Sequence, residues 1–418
     1  MKILFVILAS LVSYNVLAQS YLLRPERVFD GEAMHTGWSV LVKDNIIVKA
    51  GPSDKIKESR GYQVIDMPGK TLLPGLIEGH SHLLLYPYDQ TNWNDQVLKE
   101  PEAYRVARAV VHAEKTLMAG FTTTRDLGSE GAGYADVGLK MAIEDGVIPG
   151  PRMLVAGRAI VTTGSYGPKG FSYDFDLPLG AEPADGNDLI RVTRNQIGKG
   201  ADFIKVYADY RWGPNGEAMP TFSIDELKLI VETAKSSGRA TVAHAGTAEG
   251  MRRAILAGVE TIEHGDGATA ETYELMKKYG VALCPTLAAV DAILQYRGWD
   301  KAKDPEPSRI TIKKNSFKHA LEAGVTICAG GDVGVYEHGD NVRELELMVE
   351  YGMPILEVLQ SATSVNAKLF HLENLVGHVR AGLLADLIVV EGDPSKRISD
   401  LRKISLVMKD GVIYRNDN

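Results

Sequence analysis

Cysteine is almost missing from this chain: Cys284 and Cys328 are the only two. That count excludes a disulfide framework. Both lie in apolar, strand-like runs, where a free thiol acts as a small core residue. A single bridge or a metal role are the alternatives. Basic charge is also short, with 46 Lys and Arg against 54 Asp and Glu and a net charge of -8. There is no basic run for phosphates to bind, so a nucleic-acid partner is excluded. Low-complexity tracts and solenoid repeats are absent. The apolar stretch Ile3 to Val12 is too short to span a bilayer, and no later segment has a comparable uninterrupted run. What remains is an ordinary globular balance, 45% hydrophobic and 24% charged, with enough apolar material for a core.

The first residues read as a targeting segment. Lys2 gives the positive end, Ile3 to Val12 the short apolar stretch, and Val16 and Ala18 the small residues before a cleavage point. Residues 1–18 are therefore expected to be a signal peptide cut between Ala18 and Gln19. The mature protein is expected to be secreted and periplasmic, with no membrane contact after the signal is removed.

Two β-rich ends flank a different middle. Val40–Val42 and Ile46–Val48 enclose Asp44-Asn45, and an Asp410-Gly411 turn follows Ile404–Met408. Both are hairpin signals. Residues 19–73 plus 371–418 are expected to form one small β-sandwich domain. Residues 74–370 alternate short apolar strands with helices, eight times in about 300 residues, which suits a (β/α)₈ TIM barrel. The expected strands are Gly75–Glu78, Thr122–Arg125, Arg152–Val155, Phe203–Tyr207, Thr241–Ala243, Thr261–Glu263, Ala282–Pro285 and Thr326–Ala329. A doubly wound sheet would want a Gly-rich phosphate turn after the first strand, and Gly75–His80 has none.

Polar residues fall at telling places in this scheme. His80 and His82 end the first strand and Lys205 lies in the fourth. His244 ends the fifth, His264 ends the sixth, and Asp332 follows the eighth. Strand ends of a barrel converge on one pocket. A His-x-His pair in extended chain puts both rings on one face, as two ligands of one metal need. Lys205 is the odd member, because an ammonium would repel cations. Burial disfavours its charged form, and a neutral lysine can take up carbon dioxide to give an anionic carbamate with two oxygens. The other reading is an ordinary lysine paired with a carboxylate. The set implies two divalent metal ions, zinc by expectation, bridged by N6-carboxylated Lys205. Asp332 would be both ligand and general acid/base for a metal-activated hydroxide.

These residues resemble the metal and proton-transfer set of the amidohydrolase superfamily. Pro74-Gly75-Leu76-Ile77, Ser361-Ala362-Thr363 and Gly382–Ile388 extend the likeness over nearly the whole mature chain. Gly120–Asp126, Phe203–Val206 and Glu263-His264-Gly265 are similar to its Xaa-Pro dipeptidase and imidazolonepropionase-like branch. The resemblance implies hydrolysis of an amide bond in dipeptides or N-acyl amino acids, releasing a C-terminal residue such as proline. Two stretches depart from the branch: Thr163–Gly167 replaces a Gly-Gly-His-Gly segment, and Gly246 replaces Tyr or His. Tyr207 and Tyr166 are candidates to polarise the carbonyl, and Arg211 to bind a substrate carboxylate. Plain aromatic packing and a solvated loop charge are their alternatives.

A lactonase or phosphotriesterase, or a cyclic-amide hydrolase, would fit the same ligands. A deaminase of this kind usually carries Glu where Thr247 stands. A periplasmic binding protein on a dead barrel would have lost ligands, and none is lost. The partner is expected to be a small peptide or amide, and homo-oligomers are compatible with the sequence.

Overall fold

The computed structural model describes residues 20–56, 61–172 and 174–417. The proposed signal segment lies outside them. Strands from both ends of the chain form one mixed sheet of eight strands. Its centre is the strand Gln63–Pro74, parallel to Ser20–Phe29 on one side and antiparallel to Leu387–Glu391 on the other. The two ends are thus joined by backbone hydrogen bonds. They make a single sheet among the described residues, where a sandwich of two sheets had been expected. The sheet bends over a core of its own, including Leu23, Val40, Met67, Leu387 and Leu406. Its hairpin around Asp44 meets the segment before Leu387, through Ile47 N to Leu383 O and Ala385 N to Asn45 O. Asp44 and Asp410 take the left-handed conformation at the two hairpin turns, which short polar side chains tolerate.

The middle is α/β with parallel inner strands. One sheet joins Leu76–Ser81, Phe121–Asp126 and Arg152–Val155. A second includes Ile204–Tyr207, Thr241–Thr247, Thr261–Gly267 and Ala282–Cys284 in sequential order. These seven are called strands one to seven below. Helices cover their outer faces where the apolar period predicts them. Ile224–Lys235 opens with a capping box, Ser223 accepting from Glu226 N while Glu226 accepts in return. Further helices run over Glu102–Met118, Ala248–Ala257, Ala270–Tyr279 and Ser308–Ala323.

Three differences matter for the site. Strands five and six run past His244 and His264 to Thr247 and Gly267, where one more rung pairs them. The two histidines therefore lie within their strands and do not end them. The expected eighth strand, Thr326–Ala329, is reduced to isolated bridges. Ile327 bridges Leu283 on one side, and Val333 bridges Ser81 on the other. Cys328 N donates to Leu283 O, and Gly79 N to Ala329 O. The backbones approach so closely that a Cβ on Gly330 would lie 2.5 Å from His80 N, and one on Gly79 would meet Cys328 Sγ at 2.5 Å. Regular pairing is not continuous between strands three and four, where Asp202 N to Val155 O links them.

Cys284 and Cys328 are both buried and free, with their sulfurs 3.1 Å apart in the apolar layer below the inner strands. Beside His82, two further histidines support the chain. His112 Nδ1 donates to Leu83 O and His338 Nε2 to Leu85 O, and their rings stack at 4.4 Å. Burial holds both imidazoles neutral, His112 down to about 4 and His338 well below its usual value. The unfolded chain takes up these protons near 6.5, so stability is full above that pH and declines as pH falls toward 4. His112 alone would account for about 3 kcal/mol of this loss. Buried Glu78, raised to about 7, and Glu344, raised to about 8, act in the opposite sense. The test is therefore a difference between proteins that share them. Denaturant midpoints measured across this range should fall less steeply in His112→Asn, which keeps a donor and cannot ionise. Parallel curves would remove His112 from the acid response.

Candidate functional site

The strand ladder brings the predicted residues together. His80, His82, Lys205, His244, His264, Asp332, Tyr166, Tyr207 and Arg211 all line one cavity of about 390 Å³. Alternation along strand four puts Lys205 and Tyr207 on the same side. Tyr207 is in register with His244, and their rings stack at 4.6 Å.

Three histidines are fixed through one ring nitrogen. His80 Nδ1 donates to Glu263 Oε2 at 2.8 Å, and His82 Nδ1 to Gly128 O at 2.9 Å. His264 Nδ1 lies 2.7 Å from Thr286 Oγ1. Each keeps Nε2 as the free donor atom, which is the arrangement that orients and strengthens a metal ligand. His80 and His82 present Nε2 at 3.6 and 3.4 Å from one oxygen of Asp332. The ligand atoms of these three residues all lie within 4.8 Å of one another. His244 and His264 stand beside them, ring centres 4.5 Å apart, and His264 lies 5.2 Å from His80.

The electrostatics suit a cation. Burial first, then the Lys205 charge, holds His244 down to about 3. Burial likewise depresses His80 and His264 well below their usual value. These rings are neutral lone-pair donors at neutral pH. Burial also lowers the Lys205 ammonium and raises Asp332. Lys205 is 1% exposed, and its nearest aromatic face is Tyr207 at 5.6 Å. Neutral imidazoles with anchored rings, a carboxylate and a desolvated lysine form a donor set that fits divalent ions.

Around this set are residues that sequence reasoning did not assign. Glu263 holds His80 with one oxygen and Arg125 Nη2, at 2.9 Å, with the other. Both had been noted inside family-like segments, without roles. Lys313 is buried, pairs with Asp266 and donates to His264 O at 2.9 Å, so it fixes the backbone at the far end of strand six. Asp209 accepts from Gly246 N and from the backbone and hydroxyl of Thr247. Thr247 also caps the following helix by accepting from Gly250 N. Thr247 therefore has a structural task at the position where a deaminase would carry Glu. Tyr166 donates to Glu130 Oε2 at 2.6 Å, and Tyr207 to Glu130 Oε1 at 3.3 Å. Arg211 is exposed on the short hairpin strand Asp209–Arg211 at the rim, with no ion pair among the described residues.

Comparison with known proteins places this geometry. Residues 71–414 match the model of the amidohydrolase family, and the chain belongs to that family. It is 30% identical to an ochratoxinase of Aspergillus niger, over 92% of this chain and 84% of that enzyme. A solved Xaa-Pro dipeptidase with bound methionine in its active site superposes with TM-score 0.84 at 32% identity, covering 95% of this chain and all of that one (100%). A prolidase complexed with N-methylphosphonate-L-proline gives TM-score 0.82 at 27% identity, over 95% of this chain and 100% of the other. The chain is accordingly a hydrolase acting on amide carbon–nitrogen bonds. The family is metal-dependent, and this chain keeps a candidate set of metal-binding residues.

If Glu263 holds His80 for a metal, Glu263→Gln should weaken metal binding by roughly 10–100-fold. Competition with a chelator measures this directly. Unchanged affinity in the folded variant would show that the contact only packs the interior.

Proposed function

We propose that this protein is a secreted binuclear metallopeptidase that cleaves the amide bond of dipeptides or N-acyl amino acids and releases the C-terminal residue. The observation that carries it is the convergence of anchored histidines with buried Lys205 and Asp332 in one cavity. The seven inner strands and the 326–333 segment are read as a (β/α)₈ barrel. Residues 19–73 and 371–418 are read as a separate β domain. Secretion to the periplasm rests on the residue order of 1–18.

His80, His82, Lys205 and Asp332 would hold one divalent ion, and Lys205, His244 and His264 the other. Zinc is the proposed metal. A carbamate on Lys205 would remove the charge that otherwise opposes metal binding, and its complete burial supports that reading. When bound, the ions supply acidified water and a polarised carbonyl.

Asp332 borders the nucleophile's position beside His80 and His82. Burial raises its carboxyl, so it takes up a proton more readily than an ordinary aspartate. It takes the proton from the attacking water and delivers it to the amide nitrogen as the carbon–nitrogen bond breaks. Tyr207 lies on the wall facing that carbon and can turn its hydroxyl from Glu130 to the developing oxyanion. Arg211 at the rim is placed to pair with the free carboxylate of the leaving residue.

A library of dipeptides and N-acyl amino acids, offered to zinc-loaded mature protein, tests the reaction. Preference for lactones or phosphotriesters over every amide would overturn it. Asp332→Asn should retain metal and lose ~10²–10⁴-fold in kcat. Loss of metal in step with activity would make Asp332 a ligand alone. Arg211→Ala should raise KM for substrates ending in a free carboxylate and leave their C-terminal amides little changed. Equal effects on both would assign the carboxylate contact elsewhere.

A further inference from the structure

Glu130 is a charged group of the cavity that the hydrolytic chemistry does not use. It lies 3% exposed and lines the cavity wall. Its backbone is held left-handed, with φ of 47°, and Arg105 Nη1 donates to its carbonyl at 2.7 Å. The side chain is gripped by three neutral donors: Tyr166 OH at 2.6 Å, Trp93 Nε1 at 2.9 Å and Tyr207 OH at 3.3 Å. No lysine, arginine or histidine pairs with this carboxylate among the described residues.

Buried Arg105, which binds the Glu130 carbonyl, and Lys205 act on this carboxylate electrostatically without touching it, and a buried carboxylate with no cation in direct contact remains costly. Three donors leave part of its acceptor capacity unused, since a carboxylate offers about four lone-pair sites. The surroundings favour a cation as well. Tyr166, Tyr207 and Tyr210 cluster with ring centres 4.6 to 5.9 Å apart, and all three line the cavity. Their π faces attract a positive group. A free carboxylate at this wall would be repelled by Glu130, so the leaving residue's terminus belongs elsewhere.

We infer that Glu130, with Tyr166, Tyr207 and Tyr210, forms a subsite for a protonated amine on the acyl side of the substrate. This rests on the amide-hydrolase reading and narrows it from N-acyl amino acids to amine-bearing acyl groups. The amine is either the α-ammonium of a free amino terminus or the end of a basic side chain.

The test compares three matched substrates with one leaving residue: a free α-amine, the same acyl group with hydroxyl in place of the amine, and an N-acetylated lysyl group. Wild type should favour one of the two amines over the hydroxyl compound by roughly tenfold or more in kcat/KM, mainly through KM. Whichever amine is favoured identifies the source. Glu130→Gln, which keeps the shape, should bring that ratio near one. Equal wild-type rates on all three, or an unchanged ratio in folded Glu130→Gln, would overturn the subsite. A binding arm does not depend on turnover or on the variant folding. Calorimetric titration of wild type with n-butylammonium chloride should show saturable binding, and butanol should not. No binding of the ammonium, or equal binding of butanol, also overturns it. If no amide in the set is cleaved, the hydrolytic assignment fails and the ammonium titration still decides the subsite.

Discussion

At the centre of the inner strands a buried glutamate is shared between a histidine and an arginine. Glu263 on strand six accepts from His80 Nδ1 on strand one and from Arg125 Nη2 on strand two. Arg125 in turn donates through Nε to Gly79 O and through Nη1 to Thr261 Oγ1. All three charged or polar groups are nearly inaccessible, with Arg125 at 3% and Glu263 at 0%. Removing one partner of such a buried array typically costs about 3–5 kcal/mol, because the others are left charged and unpaired. The array crosses between sheets that have no continuous pairing, so it sets their relative position. It also fixes which nitrogen of His80 faces the cavity. Stability and ligand geometry are therefore consequences of the same contact.

Backbone strain gathers around that centre. Seven non-glycine residues have positive φ among the described residues, and four of them, Glu130, His264, Thr286 and Asp332, line the cavity. Such conformations cost of order 1–3 kcal/mol each and persist where the surroundings impose them. Here the constraints are visible. Asp332 N donates to His80 O, Glu130 O accepts from Arg105, and Lys313 binds His264 O. Each strained residue turns a functional side chain inward from a segment that would otherwise run on extended. The reduction of the eighth strand to single bridges has the same origin. Its chain leaves the ladder through Gly330 and Gly331 to bring Asp332 back over His80 and His82.

The metal half of the site was legible in the sequence because it obeys strand periodicity. His80 and His82, or Lys205 and Tyr207, share a face by the alternation of side chains, and parallel order brings the faces together. The hairpins and the larger helices were legible for similar local reasons, such as the Ser223–Glu226 box. What sequence could not give depends on contacts between distant segments. The sheet of the two ends needs the Gln63–Pro74 strand to pair on both edges. The positive φ of His264 and Asp332, and the extension of strands five and six, are set by neighbours far away in the chain. Glu263 and Arg125 stood inside recognisable segments, yet their partnership spans 138 positions.

The departures from the family pattern fall on the other half of the cavity, and the structure gives them a common physical sense. At Thr163–Gly167 the chain delivers Tyr166 to the carboxylate of Glu130, where Trp93 also donates. At Gly246 the missing side chain leaves the backbone N–H to Asp209, which holds Thr247 as well. A Cβ at that position would meet little, Asp209 Oδ1 at 3.9 Å being its nearest neighbour. Sterics at the backbone therefore do not demand glycine there, and the side chain is absent from space facing the cavity. One wall sets an acid among tyrosines, while the wall beside His244 carries no side chain at Gly246. His80, His82 and His264 are held by Glu263, Gly128 and Thr286, whereas His244 stacks on Tyr207 and lies 3.8 Å from Asp209, the residue that binds Gly246. Three of the four histidines can thus keep their geometry while the substrate wall varies, and His244 is the ligand through which a change of that wall would reach the chemistry.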